Sequence, residues 1–213
     1  MTNKIYDVKS ATSYLNIDVT VQYAVEAFAA ANLEEMISCC GFTPEDGGFS
    51  VHFIDHDVMV KYPTGEVTFR ETGEPVSAVE KVLILHHAVY SEGGILVKDR
   101  ITYKELPSGE IYIDPFSNRC IKALTGIFAP NLDLLRKAVE STIHKEEKYG
   151  DYSCTIQVLP KVPITLIVYE ADDEFPASGN VLFNGAAARF LHTEDYTQIT
   201  AFLISTLKKI AFA

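Results

Sequence analysis

The chain has few cysteines, no long apolar run and a shortage of positive charge, and each shortage closes off a class of protein. A membrane-spanning helix needs ~20 consecutive apolar residues, and no stretch approaches that. The longest apolar run, residues 162–169, is interrupted by Pro163 and Thr165 and predicts a buried strand. Residues 1–10 are polar and lack the apolar core of a secretion signal. The cysteines, Cys39, Cys40, Cys120 and Cys154, are too sparse for a disulfide scaffold, and adjacent Cys39 and Cys40 are poor partners for each other. Free thiols in a reducing cytoplasm are the expectation. Positive charge is short as well: 18 basic against 29 acidic side chains give a net charge of −11. Binding to a phosphate backbone draws its affinity from Lys and Arg. With no basic run to reverse the field locally, neither nucleic acid nor an anionic membrane is an expected partner. A recessed pocket for a small anion is compatible with that charge.

Catalytic signatures are missing too. The chain has no Gly-x-Gly-x-x-Gly, Walker loop, Gly-x-Ser-x-Gly elbow or His-Glu-x-x-His. These absences weaken nucleotide-dependent and hydrolytic readings.

What remains is an ordinary globular composition, 47% hydrophobic and 22% charged over 213 residues. That length is near the upper end of one domain and can bury a core without disulfides or metal. Residues 1–213 are assigned to a single α+β domain, a mostly antiparallel sheet packed by helices. A helix is predicted over 19–39, with Asp18 as cap, Gly41 beyond its end and Asn32 as a dividing point. Residues 44–48 read as a loop. Alternation at Phe49, Val51 and Phe53, then Val58 and Val60, then Val67 and Phe69 predicts an antiparallel meander. A helix over 78–91 starts from a Ser77/Glu80 capping box and carries an apolar stripe of Val79, Val82, Leu83, Leu85, Val89 and Tyr90. Residues 95–106 and 110–113 read as a hairpin around Pro107-Ser108-Gly109, and 116–128 and 132–145 as helices. Strands are expected at 152–159 and 164–169, a short apolar segment at 181–183, and a final helix over 194–210 with Thr193 as cap.

The most unusual local feature is acidic: Glu170, Asp172, Asp173 and Glu174, followed by Phe175-Pro176. Clustered carboxylates repel and need solvent, a cation or a raised pKa. They point either to a cation or acid/base site at a strand end or to a wet turn, and the Asp-x-Asp-x-Asp spacing of a calcium loop is absent. His86 falls between Val82 and Tyr90 on the apolar face of its helix and His87 toward the edge. About 100° apart, the two are poorly placed to share one metal. Asp55-His56-Asp57 reads as a turn, and Cys39-Cys40 lacks the spacing of zinc and redox motifs. Glu194 and Asp195 are accounted for by the dipole of the final helix. Arg100, Arg119 and Arg189 could each hold a carboxylate or phosphate.

The chain resembles a prokaryotic family of domains of unknown function, family 3786. The resemblance is carried by Lys81-Val82-Leu83-Ile84-Leu85-His86-His87, Tyr103-Lys104-Glu105-Leu106-Pro107-Ser108-Gly109, Leu159-Pro160-Lys161-Val162-Pro163-Ile164 and above all Asp172-Asp173-Glu174-Phe175-Pro176-Ala177. It continues through Val181-Leu182-Phe183-Asn184 to Leu191-His192-Thr193-Glu194-Asp195 and covers about 35–207. Asn184 stands where the family pattern is acidic and Tyr169 where an indole is usual. The resemblance supplies no mechanism. Longer members look fused to an iron–sulfur segment of the kind seen with corrinoid proteins of anaerobic one-carbon metabolism, and this chain has no such cysteine array.

The leading expectation is a cytoplasmic ligand- or cofactor-binding accessory module that takes a small molecule or a partner protein. Its pocket would lie between the 78–91 helix and the sheet, rimmed by Asp172, Asp173, Glu174 and Phe175, with His86, Tyr90 and Arg100 as further ligand contacts. A corrinoid or other tetrapyrrole is one candidate, with His86 as axial contact; no residue is assigned to a bound metal. The first alternative is an enzyme with His86 as base and Asp173 or Glu174 as acid or cation ligand, and the second is a protein-interaction domain with an exposed apolar patch.

Overall fold

The computed structural model describes residues 16–213, so the reading of residues 1–10 lies outside it. The fold is α+β with two antiparallel sheets, one more than expected. The segment is divided at Asn32, the dividing point read from the sequence, into helix α1 (Ile17–Ala30) and helix α2 (Leu33–Cys40). Asn16, not Asp18, caps α1 by accepting from the Val19 N–H, and Asn32 caps α2 by accepting from the Glu35 N–H. Gly41 ends α2 in the left-handed conformation that favours glycine.

The first sheet is a meander of β1 (Thr43–Glu45), β2 (Gly48–Phe53), β3 (His56–Lys61) and β4 (Glu66–Phe69). Residues 44–48, expected as a loop, contribute β1 and its turn into β2. Gly48 is required there: a Cβ on it would sit 1.9 Å from the Val60 carbonyl oxygen across the ladder. Helix α3 (Ala78–Tyr90) follows and packs against α1 and α2.

Strand β5 (Arg100–Thr102) does not form the expected hairpin. It pairs with a late strand, and the chain then tightens into a 3-10 turn, Tyr103–Glu105, capped by the Glu105 carboxylate on the Thr102 N–H. Pro107, then Ser108 at positive φ, lead to Gly109, where a Cβ would lie 1.9 Å from the Tyr103 carbonyl oxygen. Helix α4 (Ile113–Phe116), a π-helical segment (Ser117–Ile121) and α5 (Lys122–Phe128) are contiguous in the chain. Helix α6 (Leu132–Val139) stops short of residue 145, because the Ser141 and Thr142 hydroxyls bond back to the Ala138 and Val139 carbonyls. The residues after it form β6 (His144–Glu146).

Strands β7 (Tyr152–Leu159), β8 (Val162–Tyr169) and β9 (Ser178–Asn184) complete the second sheet, in the order β5-β9-β8-β7-β6. Its inner face buries Ile156, Ile164, Leu166, Val168 and Phe183 completely or almost so. The final helix, α7 (Thr193–Ala211), is capped by His192 rather than Thr193. One hydrophobic cluster runs from α1 through both sheets to α7. Among the described residues no helix is long and apolar enough to cross a membrane.

Helix α3 organises the interior. Only Ala78 of its residues is exposed, so its polar side chains must find partners inside. Ser77 accepts from the Glu80 N–H as predicted, but the Glu80 carboxylate does not reach back to the cap. It is 2% exposed and accepts from His56 Nε2 at 2.6 Å, while His56 Nδ1 donates to Asp55 at 2.8 Å. Carboxylates only accept, so His56 carries both protons and is a cation clamped between two anions. The turn there is Ile54–Asp55, and His56 opens β3. His87, placed at the helix edge by the sequence, is fully buried: its Nδ1 donates to the Phe190 carbonyl at 3.2 Å and its ring packs on Phe42.

The two imidazoles set opposite limbs of the stability profile. Burial alone would lower the pKa of His56, but its two carboxylates outweigh it and raise the pKa to about 9. That contribution is complete below pH ~6.5 and is lost as pH rises through about 9. Burial lowers the pKa of His87 to about 4, so stability falls as pH drops from ~6.5 toward about 4. Chemical unfolding from pH 4 to 10 should therefore show a maximum near neutrality. His56→Gln should remove much of the alkaline decline and cost about 1–3 kcal/mol at pH 7, because Glu80 is left buried without its ion partner. An unchanged alkaline limb in that variant would show that the clamp does not hold the meander to α3.

Candidate functional site

The sequence places His86 on the apolar stripe; the structure places it at the margin, its side chain 12% exposed, where α3 meets the start of α7. Its Nδ1–H donates to Asp195 Oδ1 at 2.8 Å. Asp195 is itself 2% exposed and also accepts from the His192 N–H at 3.3 Å, so one carboxylate caps α7 and orients the imidazole. Tyr90, one turn along α3 from His86, packs its ring edge-on against it at 5.2 Å and lies over His192 at 4.4 Å.

Glu194 stands beside this pair, partly buried. Burial foremost and then the neighbouring Asp195 charge push its carboxyl up to about 7, against the opposing pull of His86 and Arg119. Burial and Asp195 raise the Tyr90 phenol in the same way. The pole thus combines an oriented imidazole, a buried carboxylate and a carboxyl that holds its proton near neutral pH. Environments that push adjacent titratable groups apart in this way concentrate at functional sites.

Several contacts from outside α3 fix the start of α7. The Tyr103 hydroxyl donates to the Thr193 carbonyl at 3.4 Å and accepts from Thr197 at 2.8 Å; Thr193 donates to the Pro107 carbonyl at 2.7 Å. Tyr103 stacks on Phe116 at 4.0 Å, just before the π-helical segment that carries Arg119. Arg119 is exposed.

The acidic turn is elsewhere. Asp172 Oδ1 accepts from the Glu174 and Phe175 N–H groups, which hold its carboxyl below the usual range, and the Glu170 N–H donates to Asp151. Asp173 and Glu174 are exposed, and Phe175 is 67% exposed. This turn follows the Tyr169 end of β8, whereas His87 lies against Pro160 at the other end. Eight residues of strand separate those ends by about 23 Å. The expected pocket joining His86 and Tyr90 to residues 172–175 is therefore not formed, and Asp173 and Glu174 are not acid partners of His86. Arg100 belongs to neither group; it lies on the outer face of the second sheet, bonded to Glu147 at 2.6 Å.

An open cleft of ≈ 590 Å³ flanks the meander at His52, His56, Asp57 and Arg70. His52 has Nδ1 on Asp57 and Nε2 on the Ile54 carbonyl, and His56 is fully clamped, so neither imidazole offers a ligand a lone pair. Burial pushes the Cys40, Cys120 and Cys154 thiols up to about 12, which leaves them poor nucleophiles and poor metal ligands. Among the described residues no group of His, Cys, Asp and Glu is arranged to hold a metal ion. The tetrapyrrole implied by the resemblance would need a flat apolar slot beside His86. The His86 ring is almost covered, Tyr90 packs against it, and Phe175 is at the other end of the strands, so these residues do not fit that group.

His86 and Asp195 were both visible in the sequence, but their 109-residue separation was not readable as contact. The signal for it in the sequence is the pair of consecutive carboxylates, Glu194 and Asp195, at a helix start, a pattern that the helix dipole alone also explains.

Keeping Glu194 in place costs stability. Its folded pKa of about 7 lies above its ordinary 4.5, so charging it penalises the folded state progressively from pH ~4.5 and in full above about 7. A pKa unit is about 1.4 kcal/mol, and solvent screening of a partly exposed group reduces the total to about 1 kcal/mol. Glu194→Gln should stabilise the protein by about that amount at pH 8 and by almost nothing at pH 4, measured by urea unfolding. No gain at pH 8 would mean that Glu194 ionises as an ordinary surface carboxylate.

No curated protein and no solved structure matches the chain. A family model described as "Domain of unknown function (DUF3786)" matches residues 32–206, slightly offset from the 35–207 of the sequence reading. With most of its length matched, the chain belongs to that family of domains of unknown function.

Proposed function

We propose that the chain is a small-molecule-binding module whose site is the pole formed by His86, Asp195, Glu194, Tyr90 and His192, and that binding there is coupled to a proton. The observation that carries this reading is the side-by-side placement of two carboxyls at one imidazole, Asp195 committed to His86 Nδ1 and Glu194 held protonated near neutrality. A scaffold has no need of the second carboxyl, whereas a ligand that brings or removes a charge does. Tyr90 and His192 supply an aromatic wall against which a small molecule can pack.

The same groups favour one catalytic alternative over the one expected from sequence. Glu194, rather than Asp173 or Glu174, is the acid that accompanies His86, and proton transfer between a bound substrate and this pair is chemistry the pole supports.

An NMR screen of small polar fragments, followed on the histidine and tyrosine ring signals, tests the reading. Binders should shift His86, Tyr90 and His192 together, and their affinity should change about tenfold between pH 6 and pH 8. Glu194→Gln should remain folded and lose that pH dependence. Fragments that gather only at the ≈ 590 Å³ cleft, or bind at the pole with the same affinity at every pH, would refute it.

A further inference from the structure

The outer face of the second sheet carries an arrangement that the His86 pole does not use. A groove of ≈ 240 Å³ runs across β5, β9, β8 and β7, and among the described residues the charged side chains lining it are Lys98 and Arg100. In a chain of net charge −11, a cleft whose charged lining is wholly cationic is selective for its opposite. We propose that this groove binds a small organic carboxylate, with the carboxylate at Arg100 and Lys98 and its carbon chain against Val97 and Pro163.

Arg100 is preorganised for that task. Its Nη2 donates to Glu147 at 2.6 Å, its Nη1 donates to the Tyr149 hydroxyl at 3.0 Å, and its guanidinium carbon lies 5.6 Å from the centre of the Tyr149 ring. Little side-chain freedom is left to lose on binding, and a guanidinium has five N–H donors, more than these bonds occupy. Glu147 does not cancel the groove's charge. It also has Lys145 at 3.6 Å, so two cations share that one anion and Lys98 is additional to them.

The floor is fixed by a hydroxyl relay. Thr155 donates to Glu147 at 3.0 Å, and Thr165, its cross-strand neighbour, meets it at 2.8 Å. With the Thr155 proton directed at Glu147, Thr165 must be the donor of that second bond, so both hydroxyl protons are used within the floor and recognition of the anion falls to Arg100 and Lys98. The volume is below the ~300 Å³ at which pockets for drug-sized molecules begin, which limits the ligand to a few carbons. The apolar walls distinguish an organic carboxylate from inorganic phosphate, which would gain nothing from Val97 and Pro163.

The full chain, titrated with butyrate and separately with inorganic phosphate at constant ionic strength, decides the matter through backbone amide shifts. Butyrate should give saturable shifts at Lys98, Arg100 and Thr165, with phosphate weaker by about tenfold. Lys98→Glu, on an exposed side chain that leaves the fold untouched, should weaken butyrate by at least about tenfold, and Arg100→Lys should do the same. Shifts of His86 and Tyr90 should be absent, which keeps this site separable from the pole. The proposal is overturned if butyrate gives no saturable shift at those amides, if phosphate binds as tightly, or if Lys98→Glu leaves the affinity unchanged.

Discussion

A helix enclosed on nearly every side has to settle its polar side chains, and helix α3 takes three of them inside. Glu80, His86 and His87 lie within about two turns of one another, and each is answered from a different part of the chain: by His56 of the meander, by Asp195 of the final helix, and by the Phe190 carbonyl that precedes it. An unanswered buried carboxylate or imidazole costs about 1–3 kcal/mol or more, comparable with a large share of a domain's net stability. The three contacts therefore specify the relative placement of the first sheet, α3 and α7 more tightly than the apolar surroundings could. Val82, Leu83, Ile84 and Leu85 would accept many neighbours of similar volume; Glu80 and His86 would not.

That division explains what was legible in the sequence. Period-two alternation located β2, β3 and β4 because the pattern is local, even though β2 is buried on both faces. The cap at Ser77 and the left-handed Gly41 were also readable, since a cap depends on residues within one turn. The hairpin expected at residues 95–113 failed because β5 has its hydrogen-bonding partner 80 or more residues away in β9. His86 and His87 were assigned to the wrong faces for a related reason. A helix packed by α1 on one side and bounded by α7 on the other has no single apolar stripe, so position on a helical wheel does not rank its burial.

The acidic turn shows the converse. Its composition attracted a functional reading, yet the local chemistry accounts for the geometry completely: Asp172 accepts two N–H groups of its own turn and the remaining carboxylates are in water. Repulsion among carboxylates that face solvent is screened over about 8 Å at physiological ionic strength and needs no cation. The distinctive residues of a sequence and its energetically demanding residues need not coincide.

Glu194 and Asp195 make the sharper case, because the helix dipole was offered as their whole explanation. A dipole favours a negative charge in the first turn by about 0.3–1 kcal/mol, and that gain is available to a carboxylate in full contact with water. Asp195 instead gives up solvent to hold His86, and its charge, together with burial, drives the proton of Glu194 back on to about pH 7. Had dipole complementarity been the governing effect, the pKa of Glu194 would have moved down. It moves up, so desolvation and like-charge repulsion win, and the second carboxyl is held at a cost that complementing the dipole does not require. A group retained against the stability of its own fold is where binding or proton transfer is most economically sought.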